Sequence, residues 1–246
     1  METITSKSNE RVKLVKKLAD KKYRDELGLY VVEGLTLLKD MPESVKVQAF
    51  FVTEGIIEQA ESIVSKYRAE IISVSQGVMN YIADTVTPSG ILAVIRRESG
   101  APTGAPSIVL DRVSDSGNVG TLIRTAAAFG YTDVYLVNTA DAYSSKVARS
   151  SMGGLFKVNL IEATEKEVIA SLKNHFKIAL DMDGASIESV QAKAPVALFL
   201  GSEAHGLSDG FVAAADAVAS ISMLNEMESL NVAVAGAISM YKFSAR

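Results

Sequence analysis

Residues 107–130 read SIVLDRVSDSGNVGTLIRTAAAFG, and this stretch decides the fold. It opens with Ile, Val and Leu in an unbroken run, the pattern of a strand covered on both faces. The run ends in a polar loop that contains Gly. A helix predicted over 118–129 follows, built mainly of Leu, Ile, Thr and Ala, with Asn118 placed to cap it. Strand, polar loop and helix form the repeating unit of a parallel α/β sheet.

The same unit recurs downstream. Further strands are predicted at 133–138 (DVYLVN), 157–162 (KVNLIE), 177–182 (KIALDM), 196–201 (VALFLG) and 217–223 (AVASISM). Helices are predicted between and after them, at 145–153, 164–175, 205–214 and 228–244. Residues 107–246 therefore read as a Rossmann-like α/β domain with helices on both faces of the sheet.

Upstream lies ESGAPTGAPS, with two Gly, two Pro and no large apolar residue. It is read as a linker over 98–106. Before it, strands at 29–34, 47–53, 70–75 and 90–97 alternate with short helical segments, giving a small α/β domain within residues 1–97. Residues 1–24 hold Lys7, Arg11, Lys13, Lys16, Lys17, Lys21, Lys22 and Arg24 against Glu2, Glu10 and Asp20, while the chain as a whole carries −4. Val12, Val15 and Leu18 recur at helical spacing there, which predicts an amphipathic helix with its lysines outward. Such a segment is either a polyanion-binding arm or a solvated helix face.

Composition excludes several chemistries. The chain has 246 residues, no Cys and two His. Disulfides, thiolate catalysis and Cys-ligated zinc or iron–sulfur centres are ruled out, and no metal site is expected. No apolar run is long enough to span a bilayer and the N-terminus does not resemble a secretory signal, so a cytoplasmic protein is expected.

Ligands of open α/β sheets gather beyond the C-terminal strand ends. Three loops there stand out. In the first, free N–H groups near Asn118 suit an anion, and Arg124 lies inside a small-residue, apolar helix. That guanidinium calls for an anionic or carbonyl partner, either within the fold or from a ligand. In the second, LFLGSEAHGLS (198–208), Gly201 permits close backbone approach and Glu203 stands at the strand mouth. GSEAHG is not the G-x-S-x-G nucleophile elbow, and the first loop is neither a G-x-G-x-x-G nor a Walker motif. His175 is read as a solvated residue of a polar helix. In the third, NEMESLNVAVAGA (225–237), Ser229 is the expected N-cap of the last helix and Asn231 supports the cap or points outward. The Ala, Val and Gly that follow allow very close packing.

Together, DRVSDSGNVGTLIRTAAAFG, LFLGSEAHGLS and ISMLNEMESLNVAVAGAISMY resemble the motifs of the SpoU family of RNA ribose 2′-O-methyltransferases, within the SPOUT superfamily. The unit beginning at YVVEG is similar to the family's small L30e-like substrate-binding domain. The resemblance implies a deep trefoil knot, S-adenosylmethionine (AdoMet) as cofactor, and a homodimer formed through the knotted domain. It carries catalytic roles to Asn118, Arg124, Glu203, Ser229 and Asn231. It carries cofactor contacts to Leu200, Gly201, Ile221, Met223, Leu230 and Asn231. Arg124 is implied either as the base that activates the hydroxyl or as an electrostatic stabiliser held by Glu203. RNA contacts are expected from Lys13, Lys16, Lys17, Lys21, Lys22 and Arg24. The chain has Ser116 and Ser222 where family members often have Pro. The acceptor implied is a ribose 2′-hydroxyl of 23S ribosomal RNA. The alternatives are transfer RNA, a base acceptor, or a non-catalytic RNA-binding protein. A nucleotide-binding oxidoreductase is disfavoured by the missing G-x-G-x-x-G.

Overall fold

The computed structural model describes residues 2–224 and 229–244. Two units account for the chain: Met1–Glu98 with Tyr143–Phe156, and Ser99–Ala142 with Lys157–Arg246.

The first unit starts with α1 (Glu10–Lys17) and α2 (Lys21–Leu27), then β1 (Leu29–Glu33), α3 (Leu35–Lys39), β2 (Val47–Thr53), α4 (Ile57–Val64), β3 (Glu70–Val74), α5 (Gln76–Ile82) and β4 (Ile91–Arg96). The second follows with β5 (Ser107–Asp111), α6 (Ser116–Phe129) and β6 (Asp133–Val137). The chain next contributes α7 (Ser145–Ser150) to the first unit. It resumes the second with β7 (Asn159–Glu162), α8 (Glu165–Ser171), β8 (Phe176–Ser186), β9 (Val196–Gly201), α9 (Asp209–Ala214), β10 (Ala217–Ser220) and α10 (Val232–Phe243). Residues 145–153, read from sequence as part of the second domain, thus pack with the first.

In the first unit the sheet order is β1-β4-β2-β3, antiparallel except for β2 against β3. The basic N-terminal segment is two helices, because Asp20 caps a new one and accepts from the Lys22 N–H. Val12, Val15 and Leu18 are buried with Val74, Val78, Met79 and Leu92. Each fully buried side chain of this size contributes about 1.5–3 kcal/mol, so the segment is integral to the unit. Arg24 corrects its reading as an RNA contact. It is 6% exposed, and its Nη1 donates to the carbonyls of Leu18 and Ala19 at 2.7 and 2.8 Å. It closes the corner between α1 and α2.

The second unit carries a six-stranded, all-parallel sheet in the order β10-β8-β9-β5-β6-β7. β9 and β5 lie at its centre and are buried almost throughout. The register of β8 creates an opening. Phe176–Ala179 pair with β9, but Val218 and Ala219 of β10 pair with Ala179 and Ala185. Residues 180–184 therefore loop out of the ladder. Gly184 is required there: a Cβ would lie 2.6 Å from the Ala219 carbonyl carbon.

The segment read as a linker is pinned to this unit. Thr103 donates its N–H and hydroxyl to Asp133, and Asn159 Nδ2 donates to the Ala101 carbonyl at 2.6 Å. His175 corrects its reading as solvated. It is 6% exposed, lies past the end of α8, and its Nε2 is 2.9 Å from the Ala105 carbonyl oxygen.

α10 packs against α6 and β9. Gly236 makes this possible, since a Cβ would lie 2.4 Å from a Leu122 methyl and 3.0 Å from a Leu200 methyl. The expectation of very close packing from the Ala, Val and Gly of this helix holds. Among the described residues no helix is long and apolar enough to cross a membrane.

Candidate functional site

Three strand-to-helix loops converge where β5, β9 and β10 end, and each is built by local capping chemistry. The first begins at Arg112, which holds a left-handed backbone, φ 57°. The side chain of Asp115, rather than Asn118, caps α6 by accepting from the Asn118 N–H at 2.9 Å. Both residue types make good caps, and Asp115 stands one turn earlier. The amide of Asn118 is thereby released to face outward from the first turn.

The second loop is a tight turn, not the start of the helix expected at 205–214. Ser202 and Gly206 form an isolated bridge, the Gly206 N–H donates to the Ser202 carbonyl at 2.9 Å, and α9 starts only at Asp209. Gly201 lies beneath this turn. A Cβ there would meet the Gly206 carbonyl carbon at 2.2 Å and the Leu207 nitrogen at 2.3 Å. Buried Asp111 accepts from the Ser208 N–H at 2.8 Å and Arg112 Nη2 donates to the Gly206 carbonyl at 3.3 Å, so the first loop holds the second in place.

The third loop differs from its reading in a way that matters. The helix expected over 228–244 runs over Val232–Phe243, and Asn231 is its N-cap. Residues 225–228 lie outside the described part. Asn231 Oδ1 accepts from the N–H groups of Ala233 and Val234 at 2.9 and 3.4 Å. Ser229 is not the cap.

A side-chain chain links the three loops. Asn231 Nδ2 donates to Asn118 Oδ1 at 3.1 Å, and Asn118 Nδ2 donates to Glu203 Oε1. Each asparagine uses both ends of its amide, which fixes the direction of every hydrogen bond from the α10 N-terminus to the carboxylate.

Beside this chain opens a cavity of about 440 Å³. Of the residues assigned to cofactor or catalysis, Leu200, Gly201, Ile221, Met223, Leu230, Glu203 and Ser229 line it. Asn118 and Asn231 reach it through Glu203. The volume lies within the usual range for small-molecule sites, about 300–1,000 Å³. Its far wall was not read from sequence. Leu180, Asp181 and Met182 form it because residues 180–184 leave the β8 ladder. The Asp and Gly of DMDG (181–184) were the available signal for an interrupted strand.

Arg124 is apart. Six residues beyond Asn118, it lies about 9 Å farther along the helix at ~1.5 Å per residue. It is exposed and forms no hydrogen bond or ion pair among the described residues. The expected Glu203–Arg124 link is replaced by Glu203–Asn118.

A model described as the SpoU rRNA Methylase family matches residues 105–241, and one described as an MRM3-like substrate binding domain matches residues 9–93. The chain is 31% identical over 249 aligned residues to the 23S rRNA (guanosine(2553)-2′-O)-methyltransferase RlmP of Bacillus subtilis, covering 98% of each. It superimposes on the crystal structure of an AdoMet-bound rRNA methyltransferase from Sinorhizobium meliloti with a TM-score of 0.88 and 27% identity, covering 98% of this chain and 96% of that one. A structure described as an RNA 2′-O ribose methyltransferase gives 0.81 and 27%, over 98% and 97%.

Proposed function

Since the chain belongs to the SpoU rRNA methylase family, we propose that it transfers the methyl group of AdoMet to a ribose 2′-hydroxyl of 23S ribosomal RNA. The observation that carries this is the Glu203–Asn118–Asn231 chain, which joins three separate loops at the rim of the cavity.

The cavity suits AdoMet in its chemistry. Leu180, Leu200, Ile221, Leu230 and Val232 offer apolar surface for an adenine ring, Gly201 offers bare backbone, and the Asp181 and Glu203 carboxylates complement a cation. When bound, AdoMet supplies an electrophilic methyl group on a positively charged sulfur.

The chain's own residues do the rest. A ribose hydroxyl is a weak nucleophile at neutral pH, so it must be aligned and its developing negative charge stabilised. Asn118 is locked between Glu203 and Asn231, and Ser229 stands on the cavity wall with its hydroxyl as a further donor. Arg124 offers a guanidinium with no partner among the described residues, suited to an RNA phosphate or to the alkoxide forming at the 2′ oxygen. A guanidinium donates through every N–H and offers no acceptor, which disfavours a role as base.

The reading includes a homodimer and the trefoil knot. α10 exposes Val234, Ile238 and Tyr241, 47%, 39% and 54% accessible, in one stripe at helical spacing. A second copy burying this stripe would remove apolar surface from water. The knot belongs to the same family reading; α10, the element after edge strand β10, packs on α6 and β9.

Incubation of the protein with methyl-labelled AdoMet and unmodified ribosomal and transfer RNA, followed by digestion to nucleosides, tests the proposal. Label in a 2′-O-methylnucleoside from 23S RNA is expected. Label in transfer RNA alone would move the substrate. Absence of both transfer and AdoMet binding would leave the non-catalytic RNA-binding reading.

A further inference from the structure

We propose that the first unit carries two base-stacking platforms beside its basic N-terminal segment, Tyr81 on α5 and Tyr23 on α2, that grip unpaired nucleotides of the RNA; the inference rests on the RNA-methyltransferase reading above. It comes from sorting the cations of the basic segment by partner. Arg11 pairs with Glu70, Lys13 with Glu10 and Lys21 with Asp25. Arg24 is buried against backbone carbonyls. The remaining four, Lys7, Lys16, Lys17 and Lys22, form no ion pair among the described residues. Those four are the ones that lie over tyrosine rings.

Lys7 and Lys16 each place Nζ 5.1 Å from the Tyr81 ring centroid. Lys17 and Lys22 lie 5.6 and 5.8 Å from that of Tyr23. Lys16 and Lys17 are consecutive on α1, so adjacent residues of one helix reach the two rings. Charge from Lys16 reaches Asp84 and charge from Lys17 reaches Glu10, without an ion pair in either case.

Each ring is held but not hidden. Tyr81 is half-buried, packed against the unit's apolar core on a helix whose Val78, Met79 and Ile82 are buried. Tyr23 is half-buried on α2. Aromatic rings set among positive charges are the recurring design for single-stranded nucleic acid, in which bases stack on the ring and lysines meet the backbone. Duplex RNA keeps its bases stacked inside and would meet only the lysines.

The test uses the full chain and two fluorescent probes, a short oligouridylate and an RNA duplex of equal length, titrated at several salt concentrations. The wild type is expected to prefer the single strand. Tyr81→Leu and Tyr23→Leu should each weaken uridylate binding about five- to a hundredfold and leave the salt slope unchanged. Tyr81→Phe and Tyr23→Phe should bind as the wild type does. Lys16→Gln and Lys17→Gln should each lower the slope by about 0.7. A preference for the duplex overturns the platforms, as do Leu variants that unfold at the wild-type temperature and bind uridylate normally. Methyl transfer, run in parallel, separates the failures. A wild type that methylates RNA while its Leu variants bind unchanged loses only the platforms. A wild type with neither transfer nor RNA binding loses both readings.

Discussion

The three-loop site of the second unit and the tyrosine-flanked lysines of the first hold their polar groups in opposite ways. In the second, Asn118 and Asn231 use both ends of their amides, and Glu203 is tied to them across three loops. In the first, Lys7, Lys16, Lys17 and Lys22 rest over aromatic rings with no fixed anionic partner. The difference matches two tasks. Transition-state stabilisation gains from dipoles oriented before substrate arrives. Gripping a flexible polyanion gains from cations that can move to phosphates wherever these fall.

Arg124 strains this contrast, because it lies on the second unit yet is unpaired like a lysine of the first. Its substitution carries the largest expected effect. Arg124→Ala should slow methyl transfer in a single turnover by about a hundred- to a thousandfold, the usual cost of removing a donor aimed at developing charge. AdoMet affinity by calorimetry should stay unchanged, since Arg124 does not line the cavity. Near-normal turnover would take Arg124 out of the mechanism.

Glycine substitution sharpens the comparison at the level of backbone. Gly201→Ala forces a methyl into the turn at Gly206 and Leu207, a clash with backbone rather than with a flexible side chain. The expected cost is about 1–3 kcal/mol of stability, with AdoMet affinity lowered roughly tenfold or more. Gly55→Ala in the first unit meets nothing within 4 Å and should be close to neutral. Denaturant midpoints and AdoMet titration of both variants check this. An unaltered Gly201→Ala would mean that the turn is not rigid.

Asn231 allows cap and network to be separated. Asn231→Ala removes both and should cost about 1 kcal/mol of stability from the cap alone. Asn231→Asp keeps an acceptor for the Ala233 and Val234 N–H groups but loses the donor to Asn118. Its stability should lie close to wild type while transfer falls about tenfold, near the ~1 kcal/mol of one hydrogen bond. Equal activity in Asn231→Asp and wild type would show that fixed direction in this chain is unimportant.

What was legible in the sequence follows the same division. β9 was read to the residue because VALFLG is an apolar run bounded by Pro195 and Gly201. The parallel sheet was legible from such runs, and the cavity lining from the motifs at its strand ends. Capping was less legible: Asp115 and Asn118, or Ser229 and Asn231, are equally good caps by type, and only the observed hydrogen bonds choose between them. The wall at Leu180–Met182 depends on register against β10, which no local pattern encodes. Arg24 and His175 were misread because a polar residue in a polar stretch gives no sign of burial. In both, backbone carbonyls meet the buried polar group: Leu18 and Ala19 accept from Arg24, and Ala105 faces His175 Nε2.

Asp84 provides the smallest test, since there the first unit adopts the fixed manner of the second. Its carboxylate accepts from Ser145 Oγ at 2.8 Å and pairs with Arg149 Nη1 at 2.8 Å, tying α7 to the end of α5. The Ser145 hydrogen bond first, then Arg149, hold its pKa below the usual carboxylate value of 3.8. A folded pKa lower than the unfolded one stabilises the protein above the unfolded value, and that contribution is lost as pH falls through the folded value. The side chain is 53% exposed, so solvent screening limits the contribution to about 0.5 kcal/mol or less. Asp84→Asn should therefore lower the urea midpoint slightly at neutral pH, and the gap should close in acid, as pH falls below the unfolded carboxylate value and through the lower folded one. A gap that persists in acid would mean that hydrogen-bond geometry, rather than charge, holds α7. The first unit would then secure Asp84 in the same way that the second secures Asn118.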